Sequence, residues 1–562
     1  MLFSTAALMG LGAVSAIGSE YDAKVWNSKD SFPEQTDTNI MARPNTGIAF
    51  SGGGARSYLA STGYLAALNE LGLMDNVRYV SGISGGNWAT LGYMYAQNEV
   101  DDSVLLGPVV DPSEITEDNL NVMDSNCMRG VTDSQFVTKM VRRMLNGVDA
   151  GEAWMKTYQE VYLNPLSIPD EAPYSWSEDV VNQIKSVNPS LEKQNFVLPA
   201  KNNRPYSIVG TSNLGPAAGA PYEAGDNLNL TMLEMTPLYV GSMNTKEVDY
   251  KYHHGLTHKK TMGGVVEPFA YSLYDSSAVP RHGLEDDDVT DHVTLPTFKN
   301  PLDLAHTGGA SSYAIGMFID SLPEKLRTNL DYSMQYWSAV DKRPSSEETL
   351  FADGGCFENI LVSSMLQRQV EKIVLFFNNK IPIQPASSWD VYNDEYTGEQ
   401  VTDELAALFG VYPSDEAIWA ERGYDYTHNQ HWSTEDWYPL ITGLQNAQQK
   451  GNGNIMTMNL TTIGNSVWNI PAGIRTEVTF VYLGRAFSWE DQLSPEMQAL
   501  LVPSDPAAAA DPSKTVDSGD FKTFPHYATT GGDINHKKAN ALADLTGWVV
   551  KKNADLFKSI LS

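Results

Sequence analysis

A serine stands between glycines in Gly82-Ile83-Ser84-Gly85-Gly86, directly after the apolar run of "NVRYVSG" and directly before "NWATLGYMYA". This is the G-x-S-x-G pattern of a nucleophile elbow, set between a strand and a helix as that device requires. Small neighbours let the chain turn sharply, so that the serine oxygen stands exposed where the first N–H groups of the helix point. The same letters also describe a plain strand-to-helix turn with a capping serine. A second glycine turn narrows the choice. "IAFSGGGARSYL" places Gly52, Gly53 and Gly54 after another short apolar strand, about thirty residues earlier. Free N–H groups of two such turns can converge with that of Gly85 on one anionic oxygen, which is the layout of an oxyanion hole. A nucleotide-phosphate loop would need a G-K-[ST] ending, and a dinucleotide fold the G-x-G-x-x-G spacing; neither is present.

A nucleophilic serine needs a base. Ten histidines are available. His306 lies nearest a glycine turn, in "LAHTGGASSYA", and His428 and His431 sit three apart in an aromatic stretch. None has a recognisable triad context. One carboxylate has a better one: "LFADGGCFENI" puts Asp353 at the end of an apolar strand, before two glycines and a helix. An Asp-Gly strand-end turn accounts for the same letters.

In this order, "SGGGAR", "GISGG" and "ADGG" resemble the catalytic domain shared by cytosolic phospholipase A2 and fungal phospholipase B (lysophospholipase), relatives of patatin. "LEMTPLYVGS" from Leu233 resembles that family's E-F-T-P-x-E-x-G-S segment, "TGGASSYA" from Thr307 its G-T-S-S-x-L-F-N segment, and "DGGCFENI" its D-G-G-x-x-x-N-I-P region. The resemblance spans roughly residues 46 to 380. It implies Ser84 as nucleophile, Asp353 as its direct base with no histidine, Gly53 and Gly54 as oxyanion donors beside the N–H of Gly85, and Arg56 as the arginine that follows the glycines. The planar charged fork of Arg56 suits the two oxygens of a substrate phosphate, and an arginine tying the glycine loop to a nearby carboxylate is the other reading. The substrate that the resemblance implies is a phospholipid or lysophospholipid, met at a membrane or micelle surface, with no cofactor and no metal. No segment of C2-domain size is present, so calcium-driven docking is not expected. The many cysteines of secreted fungal members are missing. Two other readings stand beside this one: a general α/β-hydrolase esterase with a Ser-Asp-His triad drawing on His428, His431 or His526, and a lipid-binding or storage protein of the same fold.

Composition is consistent with an enzyme-sized globular chain. It has 562 residues, 42% of them hydrophobic, and a formal net charge of −31, which argues against nucleic acid and against electrostatic docking on anionic lipid. Cys127 and Cys356 are the only cysteines. They exclude a disulfide framework and a cysteine zinc site, while leaving one bridge open. Residues 1–19 read as a signal peptide, with an uncharged apolar run and Val14-Ser15-Ala16 as the cleavage site; the basic leader is missing, and a short membrane anchor is the rival reading. A secreted or endomembrane-lumen glycoprotein would suit the sequons at Asn229 and Asn459.

These motifs must be held by alternating strands and helices. "IAF", "NVRYVSG", "YSIVGTS", "KIVLFFNN" and "TEVTFVYLG" read as strands, separated by helical segments. The expected fold is α/β, a mainly parallel central sheet flanked by helices, patatin- or cytosolic-phospholipase-like, forming a single catalytic domain over residues 20–562. Residues 385–450, with Trp389, Trp419, Trp432 and Trp437 among many polar residues, read as an inserted cap or lid. "GLEDDDVTDH" from Gly283 reads as a solvated acidic loop and "DPAAAADPS" from Asp505 as a surface linker. The last helix, about Lys538 to Leu561, carries Leu542, Leu545, Val549, Leu556 and Ile560 on one face, which suits core packing.

Overall fold

The computed structural model describes residues 20–27, 31–122, 124–131, 135–220, 230–251, 257–273, 281–282, 291–315, 330–341, 345–414, 426–529 and 534–562. The signal-peptide stretch, Asn229, Trp419 and most of the acidic Gly283–His292 run lie outside the described residues.

Among the described residues, fourteen strands are joined in one sheet: β1 (Tyr21–Trp26), β2 (Thr46–Phe50), β3 (Tyr79–Gly82), β4 (Tyr206–Pro216), β5 (Thr231–Met235), β6 (Val240–Lys251), β7 (Thr257–Val266), β8 (Arg281–His282), β9 (His292–Leu295), β10 (Tyr332–Tyr336), β11 (Glu347–Ala352), β12 (Lys372–Phe377), β13 (Asn454–Asn465) and β14 (Ile470–Tyr482). Their order is β13-β14-β12-β2-β3-β4-β5-β6-β7-β1-β9-β8, with β11 and β10 branching from β4. The five strands β14, β12, β2, β3 and β4 run parallel. The remaining pairs are antiparallel. The sheet is therefore mixed, and its parallel block is the part that carries the glycine turns. The extension beyond β4 is built from hairpins, whose sequences lack the strand–helix alternation that marks parallel pairing.

The parallel block is covered on both faces, as such strands must be. Alternation decides which residue faces which layer. Ile48 and Phe50 of β2, with Val374 and Phe376 of β12, enter one core; Ala49, Ile373, Leu375 and Phe377 enter the other. The first layer contains the helix Gly54–Glu70, crossed closely by the helix His536–Lys552. A Cβ on Gly63 would come within 2.2 Å of the Ala543 carbonyl oxygen, so only glycine lets these two helices approach. The first helix ends as its sequence suggests, with Gly72 left-handed at φ +67°. In the C-terminal segment the apolar stripe is core: Leu542, Leu545, Val549 and Ile560 are buried, and Leu556 packs against them. Asn553 breaks that segment into His536–Lys552 and Ala554–Ile560.

The opposite layer contains much of residues 385–450. Trp389, Trp432 and Trp437 are buried there with Phe377 and Phe480, and the helix Trp437–Lys450 contributes Leu440, Ile441 and Leu444. The stretch from Asp505 holds a short helix, Pro506–Ala510, capped by Asp505. Cys127 and Cys356 are both free. Among the described residues no helix is long and apolar enough to cross a membrane.

Candidate active site

Parallel strands deliver their C-terminal ends to one edge of a sheet, and ligands bind outside that edge. Here Phe50 of β2 pairs with Gly82 of β3 and with Phe376 of β12, so the turns after these three strands lie side by side.

Ser84 opens the helix Ser84–Tyr95 with φ +50°. A left-handed conformation costs a non-glycine residue on the order of 1–3 kcal/mol and persists only where the surroundings impose it. Three contacts do so. The Ser84 N–H donates to the Ser311 hydroxyl at 3.2 Å. The Ile83 N–H donates to the Phe50 carbonyl at 3.3 Å. Gly86 lies so close to β2 that a Cβ there would be 2.5 Å from the same carbonyl oxygen.

The glycine turn after β2 meets the elbow directly. A Cβ on Gly85 would lie 2.0 Å from the Gly54 carbonyl oxygen. Gly53 and Gly54 have φ +135° and +59°, backbone that favours glycine. Among the described residues, the N–H groups of Gly53, Gly54 and Gly85 take no acceptor, so three donors stand unoccupied at adjoining turns.

Asp353 follows β11 and begins the turn Gly354–Cys356, its carboxylate accepting the Gly355 N–H at 2.8 Å. The Ser84 side chain lies close enough to that carboxylate to favour its charged form. Asp353 is half-buried. Burial pushes its pKa up to about 6, against the Gly355 N–H and the nearby Ser84 side chain, which favour the charged form. Cys356, next to it, is pushed up to about 12 by burial and by the Asp353 charge, so it remains a thiol at neutral pH.

Arg56 is 3% exposed. Its Nε donates to the Asn378 carbonyl at 2.8 Å, and its Nη1 to the Tyr527 carbonyl and to the Thr529 hydroxyl. The guanidinium thus ties the first glycine turn to the ends of two other segments. Nη2 packs against Gly53 and alone takes no described acceptor. Burial lowers its pKa to about 10, with Glu404 opposing, so it stays charged.

None of the candidate histidines bonds to Ser84. His306 pairs with Asp303 at 2.8 Å. His431 is fully buried against Trp432 and Trp468 and pushed down to about 3 by burial. His526 lies against the Asn379 carbonyl and is pushed down to about 4 by the same cause. His428 offers its carbonyl to Asn465.

The structure adds residues that the sequence reading did not single out. Asn378 donates its side chain to Ser57 and Ser61 at 3.0 and 2.9 Å, and its N–H to Ser51 at 2.8 Å, a polar floor beneath the first glycine turn. Asn359 accepts the Gly52 N–H through its carbonyl at 3.0 Å and donates its side chain to Glu404. Tyr426 donates to the Gly355 carbonyl at 2.7 Å. Residues 385–450 thereby reach the Asp353 turn as well as the second core.

The chain is similar to known proteins over part of its length. Residues 46–105, which hold both glycine turns and Ser84, match the lysophospholipase catalytic domain. The chain resembles the cytosolic phospholipase A2 and fungal lysophospholipase family. It is 46% identical over 66 residues to human cytosolic phospholipase A2 delta, covering 12% of this chain and 8% of that protein. It is 26% identical over 231 residues to lysophospholipase 2 of Candida albicans, covering 38% of this chain and 34% of that protein. The human GIVD cytosolic phospholipase A2 structure aligns with 92% of this chain and 60% of that one, at 14% identity and a TM-score of 0.42. The chain thus spans about a third or less of the curated relatives it matches.

Proposed function

We propose that the chain is a serine acyl-ester hydrolase of phospholipids or lysophospholipids. The observation that carries this reading is the placement of the strained Ser84 turn beside the buried carboxylate of Asp353, raised to about 6 by burial, and next to two glycine turns whose N–H groups take no described acceptor. A base of that strength is mostly ionised at neutral pH, yet far more basic than an exposed aspartate.

In the first step Asp353 takes the Ser84 proton while the oxygen attacks the ester carbonyl. The N–H groups of Gly53, Gly54 and Gly85 receive the negative charge of the tetrahedral intermediate. The carbon–oxygen bond to the leaving alcohol or lysolipid then breaks, and that oxygen takes the proton held by Asp353. In the second step Asp353 removes a proton from water, the hydroxide attacks the acyl-enzyme, and the fatty acid leaves as Ser84 is reprotonated. Nη2 of Arg56 faces the same turn and is the group to receive the phosphate. No histidine takes part. The match of residues 46–105 to the lysophospholipase catalytic domain supports the lipid substrate.

Two measurements test the proposal. A fluorophosphonate probe should label Ser84 in the folded protein. Product mass spectrometry on defined diacyl- and lysophospholipids, with Ser84→Ala as blank, should show free fatty acid. A folded protein that neither reacts with the probe nor releases fatty acid would favour a lipid-binding role instead.

A further inference from the structure

Ser84 and Asp353 come from turns far apart in the chain, and something must hold them in register. One short segment touches both. It is the end of the helix Leu304–Ala310, where Ser311 is the C-cap and is fully buried. The Ser311 hydroxyl accepts the Ser84 N–H at 3.2 Å. Its carbonyl accepts the Gly354 N–H at 3.0 Å, and two residues on the Tyr313 carbonyl accepts the Asp353 N–H at 3.0 Å. Thr211 of β4 fixes the same segment, its hydroxyl lying 3.0 Å from the carbonyls of Ala310 and of Ala352.

We infer that Ser311 is a positioning residue for acyl transfer, its side chain setting the nucleophile and its backbone setting the base; the inference rests on Ser84 being the nucleophile. Ser84 is held at φ +50°, and an L residue left without support there relaxes toward the right-handed region. Such a relaxation would swing the Ser84 oxygen away from Asp353. The hydroxyl of Ser311 is the side-chain group that grips the Ser84 backbone. Occupying the Ser84 N–H also assigns the elbow's free donor to Gly85, the position next to the Gly54 turn. The neighbouring Ser312 provides a contrast. It is equally buried, but its hydroxyl donates to the Gly308 carbonyl at 2.8 Å and accepts from Trp154, and touches neither Ser84 nor Asp353.

The test compares Ser311→Ala, Ser311→Thr and Ser312→Ala in the full chain. The readouts are kcat and KM on a lysophospholipid, the labelling rate with a fluorophosphonate, and a melting curve. Ser311→Ala should lose about fivefold to tenfold in kcat and in labelling rate, the size of one neutral hydrogen bond felt in the transition state. Its KM should stay within about twofold. Ser311→Thr, which keeps the hydroxyl, should recover most of the loss. Ser312→Ala should lower the melting temperature with kcat kept. Should Ser311→Ala not fold, Ser311→Cys replaces the hydroxyl by a weak acceptor of similar shape and must show the same loss in kcat. An unchanged kcat and labelling rate, a failure of threonine to rescue, or an equal loss of kcat in Ser312→Ala would each overturn the inference. Wild-type protein that the probe does not label at Ser84 would instead overturn the proposed function itself, so the two failures are separable.

Discussion

Gly85 sits on the peptide of Gly54 so closely that a Cβ at the first would lie 2.0 Å from the carbonyl oxygen of the second and 2.7 Å from its carbonyl carbon. The obstacle is backbone at the start of a buried helix, so no side-chain rotation relieves it. Gly85→Ala should therefore push the two turns apart. The expected outcome is a loss of about 1–3 kcal/mol in stability, as for overpacking in a rigid core. Activity should fall by about a hundredfold or more, because a proposed oxyanion donor moves. Urea unfolding and esterase rates on the purified variant check both. A variant with wild-type rates would mean that the N–H groups of these turns do not act together.

The ties that Arg56 makes and the phosphate contact proposed for it can be separated. Its bonds to the Asn378 and Tyr527 carbonyls and the Thr529 hydroxyl hold the first glycine turn, so Arg56→Ala should cost stability and slow every substrate. Each charged hydrogen bond is worth about 1.5–3 kcal/mol. Nη2 takes no described acceptor and is the group proposed to meet a phosphate. Phospholipid hydrolysis should accordingly fall about tenfold further than hydrolysis of a small neutral nitrophenyl ester, measured as kcat/KM. Arg56→Lys should recover only part, since a point charge lacks the planar fork. Equal losses on both substrates would leave Arg56 as a tie alone.

The parts that were legible in the sequence are those fixed by local geometry. Glycines before a helix, a serine among glycines and an aspartate before two glycines each announce a turn at a strand end, and the resemblance put them in one site. Apolar runs such as Lys372–Phe377 announce strands covered on both faces. What could not be read depends on contacts between distant segments. Nothing in "HTGGASSYA" says that the Ser311 hydroxyl meets the Ser84 N–H, 227 residues away in the chain. Nothing near Tyr527 says that its carbonyl holds Arg56. The tryptophans after residue 385 were conspicuous, but composition does not distinguish an aromatic layer beneath a sheet from an aromatic cover over a cleft.

Trp432 tests that last distinction. It is fully buried between Phe409 and Phe480, and Phe480 belongs to β14 of the parallel block. If residues 385–450 act as part of the core, Trp432→Ala should destabilise the whole chain by about 3–5 kcal/mol, the usual cost of emptying a large aromatic site. Activity per folded molecule should change little. A movable cover would show the opposite pattern, a changed rate or KM with an unchanged unfolding midpoint.

Asp353 joins the pH dependence of activity to that of stability, and the two run in opposite directions. Its pKa is raised from 3.8 to about 6 by burial. As the base it must be ionised, so the rate should fall below about pH 6 with the loss of one ionisable group. A histidine base near its ordinary 6.5 gives a similar limb, so pH alone does not name the residue. Temperature does: carboxyl ionisation is nearly athermal, and the limb should hold its position on warming, whereas an imidazolium limb shifts. For stability, a folded pKa above the unfolded one means that the folded state binds the proton more tightly. That contribution is complete below pH 3.8 and disappears as the pH rises through 6. A shift of this size is worth on the order of 3 kcal/mol. Asp353→Asn removes the buried charge. The variant should be inactive, yet its melting temperature relative to wild type should be higher at pH 8 than at pH 4.5. Melting curves at the two values decide the point: a difference between variant and wild type that is the same at both would mean that Asp353 does not carry the raised pKa.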